Sequence, residues 1–89
     1  MEFEWGENKN FTNIQKHKID FNDVIEIFND ENRKISPDFR NDYGEDRWIT
    51  IGKVGDLIIV AVYTIRNQNF RIISARYAKK GERKLYKEK

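Results

Sequence analysis

The 89-residue chain has no cysteine, which excludes disulfide staples and thiolate metal sites and fits a reducing compartment. It has one histidine, and its carboxylates show no ligand spacing, so neither a metal nor another cofactor is expected. No apolar run approaches the roughly 20 residues of a membrane span. The segment Met1-Glu2-Phe3-Glu4-Trp5 lacks the basic start and long apolar core of a secretory signal, so no membrane association and a cytoplasmic location are expected. A glycine-rich phosphate loop and a Ser/His/Asp constellation are both missing. With no repeat and no linker, the length fits one domain over residues 1–89, enough for a three- or four-stranded sheet and two or three helices.

What is abundant is charge. Charged residues make up 36% of the chain against 38% hydrophobic, with a net charge of only +2. The distribution says more than the sum. Residues 20–46 hold most of the acid, while residues 66–89 are dense in lysine and arginine. Such asymmetry presents a basic end to a polyanion or to an acidic partner segment; a solvated terminal helix is the plainer alternative.

Phe3 and Trp5 alternate with Glu2 and Glu4, the pattern of a short strand, which Gly6 ends. Residues 7–16 read as a helix with a thin apolar stripe of Phe11 and Ile14. Asp20 is placed to cap a second helix, and its Phe21, Val24, Ile25 and Phe28 recur at core-facing spacing. Residues 29–44 are polar, contain the only proline, Pro37, and read as a long surface loop with at most an irregular strand. Loops of that length are often functional. Three strands follow, at about 46–53, 57–65 and 69–77, joined by a tight Gly55-Asp56 turn and a turn at 66–69. A short basic helix at 79–88 closes the chain. The expected fold class is α+β, an antiparallel sheet packed against two N-terminal helices with a short C-terminal helix.

Those turns set a register. Lys53 faces Ile58, Ile51 faces Val60 and Ile49 faces Val62; across the next turn Val62 faces Ile73 and Val60 faces Ala75. One sheet face then collects Ile49, Ile51, Ile58, Val60, Val62, Ile73 and Ala75, and is expected to pack on the helices. The other collects Trp48, Thr50, Ile59, Ala61, Tyr63, Ile72, Ser74 and Arg76. Aromatics on an open sheet offer stacking platforms for unpaired bases, and a nearby arginine can hold a phosphate. A bulge or a longer turn would move these residues between faces. Arg47 and Arg71 fall near the end of the sheet, beside Glu45 and Arg66, where pairing with carboxylates such as Asp23 or Glu26 competes with a ligand role.

The stretch from Phe70 to Arg76 carries cations between apolar residues. An arginine in a sheet must be solvated, paired or used on a ligand, and its planar fork suits phosphate. Downstream, Glu82 and Tyr86 lie four apart and share a helix face within reach of Arg76. His17, between Lys16 and Lys18, is the default acid–base candidate. RNA cleavage by the ribose 2′-hydroxyl needs a base, cations on the crowded phosphate and an acid for the leaving oxygen. These residues can supply all three.

The series Trp5, Lys9-Asn10, Asn13, Lys16-His17, Ile19 and Phe21, then Arg47-Trp48 and Gly52, then Arg71-Ile72-Ile73-Ser74-Ala75-Arg76 with Glu82-Arg83 and Tyr86, resembles the BrnT family over nearly the whole chain. The resemblance implies a RelE-like fold, an endoribonuclease toxin that suppresses translation, and a cognate BrnA-type antitoxin that neutralises it and helps repress the operon. Carried over residue by residue, it points to Lys16, His17, Arg47, Trp48, Arg71, Ser74, Arg76, Glu82 and Tyr86, without saying which is the base. From the residues and the resemblance together, Arg76, His17, Glu82 and Tyr86 are the catalytic candidates. Lys16, Arg47, Trp48, Tyr63, Arg66, Arg71 and Ser74 are the candidates for RNA binding. A basic patch of Arg66, Arg76 and Arg83 is expected to meet an acidic antitoxin segment, and a homodimer within that complex is a further expectation. The chain departs from the family pattern at Gly6, Lys18 and Lys79, where an acid, a glycine and a Ser or Thr are usual. A non-catalytic nucleic-acid-binding module and an inactive homologue acting in operon regulation are the competing readings.

Overall fold

The structure, a computed structural model, describes residues 2–40, 42 and 44–88. Along the chain, β1 (Phe3–Glu4) leads into α1 (Glu7–His17) and α2 (Phe21–Val24), which runs on as a 3-10 turn over Ile25–Asn29. Then come β2 (Lys34–Pro37), β3 (Trp48–Val54), β4 (Leu57–Arg66), β5 (Asn69–Tyr77) and α3 (Lys80–Lys87). The fold is α+β, as the residue pattern indicates. Strands β2 to β5 form an antiparallel meander, and β1 adds to β5 in parallel, giving the order β1-β5-β4-β3-β2. Part of the expected long loop is thus an edge strand. No helix among the described residues is long and apolar enough to cross a membrane.

The turn chemistry sets the β3–β4 register where it was expected, with Ile49 opposite Val62, Ile51 opposite Val60 and Lys53 opposite Ile58. The β4–β5 hairpin also begins as expected, because Arg66 pairs with Asn69 and Tyr63 with Ile72. Ile73 is then skipped. Ser74 pairs with Val62, Ala75 with Ala61 and Arg76 with Val60. One extra residue in one strand reverses every side chain beyond it, so Ser74 and Arg76 leave the face of Trp48 and Tyr63 and join that of Val60 and Val62.

The helices also choose the opposite face from the one expected. Phe21, Val24 and Ile27, each fully buried, pack on Ile59, Ala61, Ile72 and Ala75. The three recur every third residue, which suits a segment that tightens from α-helix into 3-10, and each such burial is worth about 1.5–3 kcal/mol. Phe28 fills the end of this layer between Phe3, Phe70 and Tyr63, with ring centroids 4.9–5.1 Å away. Gly52 leaves room for Ile27, whose side chain occupies the position a Cβ would need. On the other face Ile51 and Val60 join Ala78 in a smaller core, with Ile49, Ile58 and Tyr86 packed against it.

Helix α1 reverses its expected sidedness too. Phe11 is 61% exposed, and the buried residues are Asn10 and Asn13. The Asn13 side-chain NH2 donates to Ile19 O at 3.0 Å, and its oxygen accepts from the Ala75 N–H at 3.0 Å. Asn10 donates to Asp20 and accepts from the Phe21 N–H at 2.9 Å. An amide with one donor end and one acceptor end serves where two backbone segments must be joined. Asn13 therefore does for β5 what a neighbouring strand would do.

The three departures from the family pattern have visible consequences. Gly6 supplies no side-chain cap to α1. The Lys79 N–H is bonded instead by the Glu82 carboxylate, reaching back at 2.8 Å. Lys18 ends α1 in the left-handed region, at φ 62° and ψ 29°, donating its N–H to Ile14 O. A lysine held there costs about 1 kcal/mol relative to a glycine. Lys18→Gly is therefore expected to stabilise the fold by roughly 1 kcal/mol, read as a higher urea midpoint with an unchanged m-value.

Candidate active site

The length of α1 and the pairing of β1 together decide what meets what. Glu4 lies beside Arg71 in the parallel β1–β5 pair. Helix α1 then runs 11 residues, or about 16 Å at 1.5 Å per residue, which matches about five residues of extended strand. The end of the helix, Lys16 and His17, consequently arrives beside Ser74 and Arg76. The bulge has already turned those two side chains to the side on which this end of α1 meets the sheet.

The result is a cleft of about 510 Å³ between the end of α1, the open face of the sheet and the start of α3. Its polar walls are Lys16, His17, Arg40, Ser74, Arg76 and Glu82, and its floor is Ile49, Val60 and Val62. The cleft thus joins the sole histidine to the arginine block across more than fifty residues of sequence. An apolar floor beneath convergent polar groups is the usual form of a ligand site.

Arg76 is held end-on. Its Nη1 and Nη2 donate to the two oxygens of Glu82, both at 2.7 Å, and Nη1 also reaches Tyr77 O at 3.4 Å. The hydrogen bonds from Arg76, and secondarily the Lys79 N–H, outweigh burial and hold the Glu82 carboxyl down at about 2. Glu82 in turn raises the affinity of Arg76 for its proton. A guanidinium has five N–H donors arranged as two forks. Glu82 takes the end fork, and the side fork of Nε and Nη2 keeps donors with no acceptor among the described residues. Glu82 is thus an aligner of Arg76, and a carboxylate so stabilised as an anion is a poor proton acceptor near neutrality.

Other candidates lie elsewhere. Tyr86 does not line the cleft; its hydroxyl donates to Asp30 Oδ2 at 2.6 Å, fastening α3 to the turn before β2. That bond, with burial second, pushes the phenol up to about 12. Tyr63 is 4% exposed beneath the Phe28 and Phe70 rings, so it offers no stacking platform. Trp48, its cross-strand partner, lines a separate groove with Pro37 and Phe39. Arg47 and Arg66 both bind Glu45, at 3.1 and 2.9 Å, and Arg71 binds Glu4 at 2.6 Å; these partners replace the expected Asp23 and Glu26. Arg66 also stands six strand residues, about 20 Å, along β4 from Val60, the partner of Arg76. Arg66, Arg76 and Arg83 therefore do not form one patch.

Two contributors escaped the sequence reading. Arg40, on the loop after β2, reaches the cleft while the side fork of its guanidinium, Nε and Nη2, binds the buried Asp38 at 2.8 Å. The length of that loop was its only signal. Asn13 aligns Ala75, the residue between Ser74 and Arg76; its place three residues after Asn10 and four before His17 puts the three on one stripe of a polar helix. No group of three His, Cys, Asp or Glu side chains among the described residues is arranged to hold a metal ion.

A family model described as "Ribonuclease toxin, BrnT, of type II toxin-antitoxin system" matches residues 5–82, a span containing every polar wall of the cleft. No curated protein matches the chain.

Two outcomes follow from this geometry. Because Glu82 is depressed from 4.5 to about 2, its contribution is present above pH 4.5 and is lost as pH falls towards 2. The stability difference between the wild type and Glu82→Gln should thus be constant near neutrality and shrink across that acid window, read by denaturant titration at each pH. Tyr86→Phe should lower stability by about 1–2 kcal/mol, as Asp30 loses a donor, while leaving RNA cleavage at the wild-type rate.

Proposed function

The chain belongs to the BrnT family of ribonuclease toxins, and from that premise we propose that it cuts RNA in the His17–Arg76 cleft, without a metal ion, by attack of a ribose 2′-hydroxyl on the adjacent phosphate. The observation that carries this reading is the meeting of Lys16, His17, Ser74 and Arg76 in one cleft from two distant segments. A new bond forms between phosphorus and the 2′-oxygen as the bond to the 5′-oxygen breaks. The 2′-hydroxyl proton leaves and the departing 5′-oxygen gains one. Histidine is the residue type suited to moving a proton in either direction near neutrality, and His17 is the candidate for that role. The side fork of Arg76 and the Lys16 ammonium stabilise the phosphate as charge builds on it. Glu82 keeps the guanidinium in place, and Ser74 offers a hydroxyl to a phosphate oxygen.

Within a type II system the chain has an antitoxin partner. The finer reading is a BrnA-type antitoxin, acting in the cytoplasm, that silences a toxin whose RNA cleavage stops translation. The exposed cations of α3, Lys80, Arg83 and Lys84, flank Glu82 along the chain and suit an acidic segment of that partner.

Arg76→Ala should lower kcat/KM for RNA by about 30- to 1000-fold, the 2–4 kcal/mol of a lost transition-state contact, in a protein whose thermal melt remains cooperative. Wild-type cleavage should survive excess EDTA, leave a 2′,3′-cyclic phosphate and fail on RNA with a 2′-deoxyribose at the cut. Activity lost to EDTA and restored by magnesium would replace the mechanism. Full activity in a folded Arg76→Ala protein would move the site.

A further inference from the structure

Beyond the cleft mouth, a second groove of about 340 Å³ runs back along α1 over the outer side of β5. It shares Lys16, His17 and Ser74 with the cleft, so the two are continuous. The groove adds Lys9 and Thr12 from α1 and Ile73 from β5, and every side chain lining it is neutral or cationic.

Lys9, Thr12 and Lys16 follow at three and four residues and so share one helix face. Lys9 and Lys16 stand about 10 Å apart along the axis, far enough to meet different phosphates of one strand. They differ from five of the arginines in having no carboxylate partner among the described residues. Arg40, Arg47, Arg66, Arg71 and Arg76 are each bound to a carboxylate, whereas no described carboxylate pairs with either lysine. Ile73, the bulged residue, has no partner across the ladder, and its side chain is the apolar part of the groove's lining. Spaced cations beside an apolar side chain are what a single strand needs, with phosphates on one side and bases or riboses on the other.

We infer that this groove is a second binding site, a track that holds the phosphates of single-stranded RNA flanking the cut, with Lys9 and Lys16 as its ligands. The inference rests on the reading of the cleft given above. A strand whose scissile phosphate sits at Arg76 must leave the cleft, and the groove is the continuation without carboxylates. An acidic protein segment would meet the same cations, but it has no such reason to begin at the cleft.

The test measures binding, which needs no turnover. Fluorescent 2′-O-methyl oligonucleotides of four and twelve nucleotides lack the attacking hydroxyl and remain intact. The twelve-mer should bind at least tenfold more tightly than the four-mer. Lys9→Glu should remove most of that gain, while Lys53→Glu, the same charge change at the β3–β4 hairpin, should not. For the twelve-mer, Lys9→Ala should also flatten the plot of log K against log salt by about 0.7, one phosphate contact on a single strand. Equal affinity for the two lengths overturns the track, and so does an equal loss from Lys9→Glu and Lys53→Glu; an acidic protein would then be the better occupant. Cleavage of unmodified RNA, followed alongside, separates the two readings. Length-dependent, Lys9-dependent binding without cleavage supports the track and removes the ribonuclease site, whereas cleavage without length dependence removes the track alone.

Discussion

One unpaired residue in β5 decides which side of the sheet carries Ser74 and Arg76. Without the bulge at Ile73, Arg76 and Ser74 would share a face with Ile59 and Ala61, beneath Phe21, Val24 and Ile27. A guanidinium there would lose its hydration with little to replace it. With the bulge, small Ala75 enters the helix-side core and Arg76 turns to the open face. The Asn13 amide holds the strand there by taking the Ala75 N–H, a backbone donor at an edge that β1 is too short to cover. The contact that shapes the strand also ties down the helix that delivers His17, so the two halves of the site share one fastening.

Charge is organised around the same constraint. The small excess of positive charge conceals an internal pairing of most arginines with carboxylates, which fixes their directions and dilutes their pull on a polyanion. Arg76 combines both conditions. Glu82 holds one fork and leaves the other open, so alignment is achieved before any ligand arrives, which is the form of electrostatic stabilisation that requires no reorganisation. Glu82 has a second duty, since the carboxylate that aligns Arg76 also caps α3. The orientation of the guanidinium and the start of the C-terminal helix therefore depend on one side chain.

The strands and turns were legible because alternation and turn chemistry are local. Gly55-Asp56 and Asn67-Gln68 set both hairpins, and Asp20 caps α2 with its carboxylate accepting from the Asn22 N–H. The choice of face was not legible, since both sides of β3 and β4 are apolar and only packing decides which the helices take. The bulge did leave a trace. Phe70, Ile72 and Ala75 are the helix-side residues of β5, and their spacing of two and then three cannot come from a regular strand. Helix α1 misled for another reason: Phe11 and Ile14 form the only apolar pair on a polar helix, and buried amides serving backbone groups resemble surface residues in composition. Tyr86 shares a helix with Glu82, but four residues carry it a full turn away, to Asp30 and out of the cleft.

The central claim is that RNA binds where His17 meets Arg76. The chain has one histidine, so its imidazole gives a single, unambiguous set of NMR signals. Titrating an uncleavable 2′-O-methyl RNA into the labelled protein should shift those ring signals in step with binding, together with the side-chain Nε of Arg76. Saturable binding that leaves His17 and Arg76 unmoved, while the indole of Trp48 shifts instead, would place the RNA on the other side of the sheet and contradict the account.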